Sequence, residues 1–126
     1  GFEATRVEFI ECRWIGMKAI ECRWSDVLIE NCDARYLQLS DGQLRSSEFR
    51  GTHCGESDLR NADLEGMLFT RSILTRADLT GAKLRNTDLR GAEIEGMLVR
   101  PEDVRGAIVT ATQAMDLARL LGIIIK

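Results

Sequence analysis

The sequence predicts an all-β solenoid, and three observations carry that expectation. Every fifth residue from Ala4 to Val109 is apolar without a slip: Ala4, Phe9, Trp14, Ala19, Trp24, Ile29, Ala34, Leu39, Leu44, Phe49, Cys54, Leu59, Leu64, Phe69, Leu74, Leu79, Leu84, Leu89, Ile94, Val99, Val104 and Val109. Two residues ahead of many of these stands a small residue, among them Cys12, Cys22, Cys32, Ser47, Thr52, Ser57, Ala62, Ser72, Ala77, Ala82, Thr87, Ala92 and Ala107. Gly16, Gly51, Gly66, Gly81, Gly91, Gly96 and Gly106 share a third register, which suits corners where the backbone turns sharply. A period of five fits neither a helix at 3.6 nor a strand at 2. A fixed short repeat means a stack of turns, each burying its apolar side on its neighbours.

At 126 residues the chain makes one domain, divided into a repeat region over 1–109 and a cap over 110–126. The formal net charge of −3 argues against a direct nucleic-acid partner. No apolar run approaches the roughly 20 residues of a membrane-spanning helix, so no membrane association is expected. Gly1-Phe2-Glu3-Ala4 has neither the basic region nor the apolar core of a signal peptide, and Gly1 itself is compatible with a longer natural chain. Cys12, Cys22, Cys32 and Cys54 all fall on inward registers, and their wide spacing offers no close pair for a metal. They read as buried free thiols, which suggests a reducing, cytoplasmic setting. Cys12 and Cys32 lie twenty apart, and whether they are bonded stays open.

The central stretch contains Ser57-Asp58-Leu59-Arg60-Asn61, Ala62-Asp63-Leu64-Glu65-Gly66, Ala82-Lys83-Leu84-Arg85-Asn86 and Thr87-Asp88-Leu89-Arg90-Gly91. These units resemble the A-(D/N)-L-x-x consensus of the pentapeptide repeat family, and the likeness runs over about residues 2–109. The N-terminal third departs from it, with aromatic residues and Cys where Leu and Ala are usual. The resemblance implies a right-handed quadrilateral β-helix of about five coils, four units per coil, capped by a C-terminal α-helix and short strand. Residues twenty apart would then stack at about the 4.8 Å strand spacing, giving a prism roughly 25 Å tall. The large residues form four columns, such as Phe9, Ile29, Phe49, Phe69, Leu89 and Val109. An unbroken register leaves no room for projecting loops.

After Val109 the period changes. Thr110-Ala111-Thr112-Gln113 reads as a capping box, opening a helix over 111–121 whose stripe is Ala114, Leu117, Ala118 and Leu121. That stripe should cover the last coil, and Gly122 should stop the helix. Ile123-Ile124-Ile125 reads as a short strand, apolar on both faces. With Met115 and Leu120 these three isoleucines form a candidate homodimer interface, against the alternative of a strand folded back on its own coil. The tail is also similar to the C-terminal dimerisation segment of the quinolone-resistance branch of the family. At the other end Phe2 and Val7 open the inward series, and Ile10, Ile15 and Ile20 ring the first coil. Preceding sequence or a partner would cover this ring, unless β-branched residues simply suit these positions.

Catalysis needs groups that converge in a concave site. His53, the only histidine, falls on an outward position and reads as a solvated surface residue. Asp58, Asp63, Asp78 and Asp88 also point outward, with no histidine to complete a metal site. No enzyme, no metal and no cofactor are expected. Leu28, Leu68 and Ile108 lie forty apart in one outward column with Ile10 on the same side, a candidate partner-binding face. Met67 and Met97 recur in Glu-Gly-Met-Leu contexts and read first as local core adjustments.

The leading expectation is a non-enzymatic protein-binding rod of unspecified partner. The alternative implied by the resemblance is a DNA mimic that binds DNA gyrase or topoisomerase IV, a type II topoisomerase, and confers drug resistance. Mimicry needs a strongly acidic face. Here outward charges nearly cancel, and the side with Glu8, Glu11, Glu30, Glu48 and Asp88 is offset by Arg50, Arg71 and Arg90.

Overall fold

The computed structural model describes residues 2–126; Gly1, read above as compatible with a longer chain, lies outside the described residues. Nine short strands appear in order: β1 (Glu3–Thr5), β2 (Glu8–Ile10), β3 (Arg23–Ser25), β4 (Leu28–Glu30), β5 (Gln43–Arg45), β6 (Glu48–Arg50), β7 (Leu68–Thr70), β8 (Ser72–Ile73) and β9 (Ala92–Glu93). All pair in parallel with a shift of twenty residues, as in Phe9↔Ile29, Ile29↔Phe49 and Phe49↔Phe69. Order β1-β3-β5 makes the first face of the coil, β2-β4-β6-β7 the second and β8-β9 part of the third. Single bridges complete the third (Arg13↔Asp33↔His53↔Ile73) and build the fourth (Lys18↔Gln38↔Asp58↔Asp78↔Leu98). The result is the expected right-handed quadrilateral β-helix of about five turns.

Both inward registers fill the core. Ile29, Leu39, Leu44, Leu59, Leu64, Leu74, Leu79 and Leu89 are wholly buried, as are Met67 and Met97, which take small-residue positions. A stack of aromatic rings rises through the N-terminal half, with Trp24 6.5 Å from Phe49 and Phe49 5.5 Å edge-to-face from Phe69. The small polar residues satisfy one another from coil to coil. The N–H of Cys12 donates to Cys32 Sγ, that of Cys32 to Thr52 Oγ1, and that of Thr52 to Ser72 Oγ. Thr52 and Ser72 hydroxyls donate in turn to the carbonyls of Ile29 and Phe49. Serine and threonine can therefore be buried here without an unpaired oxygen, although Ser57 Oγ and Trp24 Nε1 find no partner. All four cysteines are free thiols, and burial raises Cys22 to about 11 and Cys54 well above its ordinary value.

Corners occupy the left-handed region. Of the glycines in the corner register, Gly16, Gly51, Gly66, Gly81, Gly96 and Gly106 have φ between 58° and 79°. Many corners without glycine are left-handed too, including Glu21, Tyr36 and Asn61 at φ 59° and Arg71 at 48°. Most corner N–H groups are held by the next coil, as in Glu21 N–H to Ser40 O at 3.0 Å, and this fixes a conformation that side chains ordinarily resist. Gly91 is the exception, because its φ is not positive. A Cβ there would lie 2.9, 3.0 and 3.2 Å from the backbone of Phe69, Arg71 and Thr70, so Gly91 is required by space.

Another corner departs from the left-handed turn, although the register holds across it, with Ile108 still paired twenty residues beyond Asp88. Position 101 is a corner, and it is proline, whose ring holds φ near −65° and forbids the left-handed turn. The chain instead winds a 3-10 turn over Pro101–Val104. Asp103 turns inward to accept from the Arg100 N–H at 2.9 Å and from its guanidinium. Those hydrogen bonds, with the Gly81 N–H, hold the Asp103 carboxyl at about 2, below its ordinary 3.8. A carboxyl depressed in the folded state stabilises it above the ordinary pKa and stops doing so as pH falls from 3.8 towards about 2. In an acid titration followed by thermal melting, the native chain should lose more stability across that window than Asp103→Asn, with the two converging below it. Parallel curves would contradict this.

Thr110 caps the helix α1 (Ala111–Leu120) through the expected box: Gln113 N–H donates to Thr110 Oγ1 and Thr110 N–H to Gln113 Oε1. The buried stripe is not the expected one. Gln113 and Leu117 are buried, Ala118 and Leu121 are half-buried, and Ala114 faces solvent. Gln113 Nε2 donates to Leu89 O at 2.6 Å, which also accepts from the Ala92 N–H, and to Ala92 O at 2.9 Å, a carbonyl that the ended ladder would leave bare. Reaching both rotates the helix towards Gln113 and away from Ala114. Coverage is partial, with Val99, Val104, Ala107 and Val109 packed on the core but not sealed. The expected strand at Ile123–Ile125 is not formed: residues 123–126 are irregular, because no strand edge lies alongside to pair with them.

Candidate functional site

The second face carries the candidate partner-binding residues. Its central outward column reads Glu8, Leu28, Glu48, Leu68, Asp88 and Ile108, an acid and an apolar residue in strict alternation. Leu68 is 43% exposed and Ile108 38%, whereas Leu28 is half-buried. The apolar rungs sit two coils apart, about 10 Å. Ile10 belongs to the neighbouring column of the same face, above Glu30, Arg50 and Thr70. The structure thus places the four residues on one face but in two columns.

The acids between the rungs are already paired. Arg50 Nε donates to Glu48 at 2.9 Å and Arg50 Nη1 to Glu30 at 3.4 Å, while Arg90 grips Asp88 through two nitrogens at 3.0 and 2.8 Å. The third and fourth faces repeat the device with Arg35 on Asp33 and Arg60 on Asp58. These aspartates also accept a backbone N–H two residues on, as do Asp63 from Glu65 and Asp78 from Thr80. The side-chain bonds from Arg35, Arg60 and Arg90 lower the Asp33, Asp58 and Asp88 carboxyls further. The outward aspartates are therefore turn-formers, and Asp33, Asp58, Asp63 and Asp88 are also bound by an arginine, a role their positions alone did not reveal. Such exposed pairs add little to stability, but they neutralise the surface.

His53 lies outward on the third face, half-buried, with Nδ1 accepting from the Gly55 N–H at 3.1 Å. A depression of about 350 Å³ beside it is lined by Arg35, Tyr36, Glu56 and Arg76, where Arg76 already bonds Glu56 at 2.9 Å. A larger groove of about 580 Å³ lies where the 3-10 turn leaves the first face, between Lys83, Arg85, Glu102 and Arg105. In the first, the Tyr36 hydroxyl bonds the Glu56 carboxylate, which raises the tyrosine and lowers the glutamate. Among the described residues no group of three or more His, Cys, Asp or Glu side chains is placed to hold a metal ion, and no helix is long and apolar enough to cross a membrane.

The C-terminal candidates Met115, Leu120, Ile123, Ile124 and Ile125 are all exposed, Ile124 by 80%. At the opposite end Phe2, Ile10, Ile15 and Ile20 are exposed, and the inward Val7, Phe9, Cys12, Trp14 and Met17 are only partly covered.

A family model described as the pentapeptide repeat region matches residues 2–79. No match is found among curated protein sequences. Among solved structures, a pentapeptide repeat protein from the Arabidopsis thaliana thylakoid lumen is 17% identical. That match spans 91% of this chain and 77% of that one, with a TM-score of 0.63. The pentapeptide repeat protein Rfr23 of the cyanobacterium Cyanothece 51142 is 13% identical over 86% of this chain and 88% of its own, with a TM-score of 0.45. QnrB1, a plasmid-mediated fluoroquinolone resistance protein, is 14% identical with both chains fully covered and a TM-score of 0.45.

Proposed function

We propose, from the premise that this chain belongs to the pentapeptide repeat family, that it works without catalysis as a rigid protein-binding rod. The observation that carries the reading is the second face, where apolar rungs at Leu28, Leu68 and Ile108 alternate with carboxylates, two of them neutralised by arginine. A flat, incompressible strip of this kind suits a protein surface better than a small ligand, because nothing encloses a ligand there. The same reading assigns Met115, Leu120 and Ile123–Ile125 to a homodimer contact, on the ground that five exposed apolar side chains cluster in one short segment.

Leu68→Asp should leave the far-ultraviolet spectrum and melting temperature of the rod unchanged and weaken capture of its protein partner at least tenfold. A folded Leu68→Asp chain that keeps every partner of the native protein would remove the face from consideration. Mimicry of DNA towards a type II topoisomerase is the weaker reading, because the Asp33, Glu48, Asp58 and Asp88 charges are each taken up by an arginine. A gyrase supercoiling assay at several salt concentrations should accordingly show neither inhibition nor protection from quinolone.

A further inference from the structure

We propose that the first face takes up an extended acidic peptide as an added strand, at a gap in its ladder between Lys83 and the 3-10 turn. On this face each incoming residue makes two bonds to the coil before it. Asp63 donates to Gly42 O at 2.8 Å and accepts from the Leu44 N–H, and Lys83 does the same with Ala62 and Leu64. Asp103 should follow with Ala82 and Leu84, but its N–H turns to Arg100 O at 2.9 Å and it forms no bridge to Lys83. Among the described residues nothing bonds the Ala82 C=O or the Leu84 N–H. The gap is internal to the rod, because the chain passes through it and pairs again at Asp88↔Ile108. Buried backbone groups are rarely left without partners, and both residues here line the groove of about 580 Å³.

Two adjacent residues keep the chain out of the ladder. Pro101 stands in the corner column of Asn61 and Gly81, where it cannot take the left-handed turn. Glu102 stands in the inward column of Cys22, Gly42, Ala62 and Ala82, where a carboxylate would be buried without a partner. It lies exposed instead, 3.2 Å from Arg100. The groove that results has a basic wall. Lys83, Arg85 and Arg105 line it, all exposed, and among the described residues none of the three is ion-paired. Of the carboxylates there, Arg100 holds Glu102 and Asp103, which leaves Glu65 against three cations. The bare carbonyl and N–H flank Lys83, as pairing with one residue of a parallel strand requires. That residue would stack its side chain over Lys83, as Lys83 stacks over Asp63, and the residue two further on would stand over Arg85. Both positions call for a carboxylate, so the pattern recognised is acid-x-acid in an extended chain. The site is separate from the Leu28, Leu68 and Ile108 column and does not rest on it.

The test is fluorescence anisotropy with the full chain and a labelled, end-blocked peptide, Thr-Val-Glu-Val-Glu-Val-Thr. Saturable binding is expected, with the first glutamate of the peptide over Lys83. N-methylation of that glutamate removes the N–H that meets Ala82 O and should weaken binding about tenfold. N-methylation of the second glutamate should leave binding unchanged, since Leu84 O already accepts from the Thr87 N–H. Pro101→Asn with Glu102→Ala rebuilds a unit like Ala62-Asp63-Leu64, closes the gap and should abolish binding in the folded chain. Absence of binding to the native chain overturns the proposal, as does an equal effect of the two N-methylations, which would mean that charge alone holds the peptide. Undiminished binding by the folded double variant overturns it too. The two N-methylated peptides are read on the native chain, so they decide the matter whether or not that variant folds.

Discussion

Phe49→Ala should destabilise the rod by about 3–5 kcal/mol, read as a fall in the denaturation midpoint. Phe49 is 1% exposed at mid-height, and truncating it removes the edge-to-face contact with Phe69 and the contact with Trp24 together. The surrounding coils cannot close on the cavity, because their separation is fixed by hydrogen bonds on every face. That loss is comparable with the whole stability of a marginal domain. In a stack held by nearest-neighbour contacts it should also split the transition, the N-terminal coils exchanging their amides first. A loss below about 1 kcal/mol would show that the core relaxes in a way the hydrogen-bonded frame forbids.

The second large effect is at Gly91. Gly91→Ala should cost roughly 2–3 kcal/mol, because the new methyl meets the backbone of residues 69–71 and neither strand can retreat without breaking its ladder. Gly66→Ala is the control: its φ is +73° and nothing lies within 4 Å of the added carbon, so only the left-handed penalty of about 1 kcal/mol applies. Equal losses in parallel urea titrations would mean that conformation, and not space, decides both sites.

Gly91 also marks the limit of what the sequence reveals. The column assignments from Ala4 to Val99 follow from the spacing alone, since a one-residue slip would turn a face inside out. The same spacing could not say that one glycine of the corner register lies outside the left-handed region and is there for room alone. Pro101 was a usable signal, because a proline in a left-handed register must break it. Gln113 was harder to read. Its helix-capping role is visible from Thr110-Ala111-Thr112-Gln113, but its second role depends on which carbonyl the preceding coil leaves bare. The isoleucines at 123–125 have strand composition without a strand, since β-propensity needs an edge to act on. For the partner-binding face, the spacing gave the column and set Arg50 and Arg90 against its carboxylates, but it could not say that Arg50 grips Glu48 and Arg90 grips Asp88.

The uniform offset of twenty residues between paired positions has a kinetic consequence. Closing any coil brings together points the same distance apart along the chain, so the entropy of closure is nearly equal for each coil. No late step has to capture a distant segment, and the transition state need contain only two neighbouring coils before growth becomes downhill. The place where growth begins is then set by local packing. The middle coils, with the edge-to-face contact of Phe49 on Phe69 and the bonded hydroxyls of Thr52 and Ser72, hold the advantage.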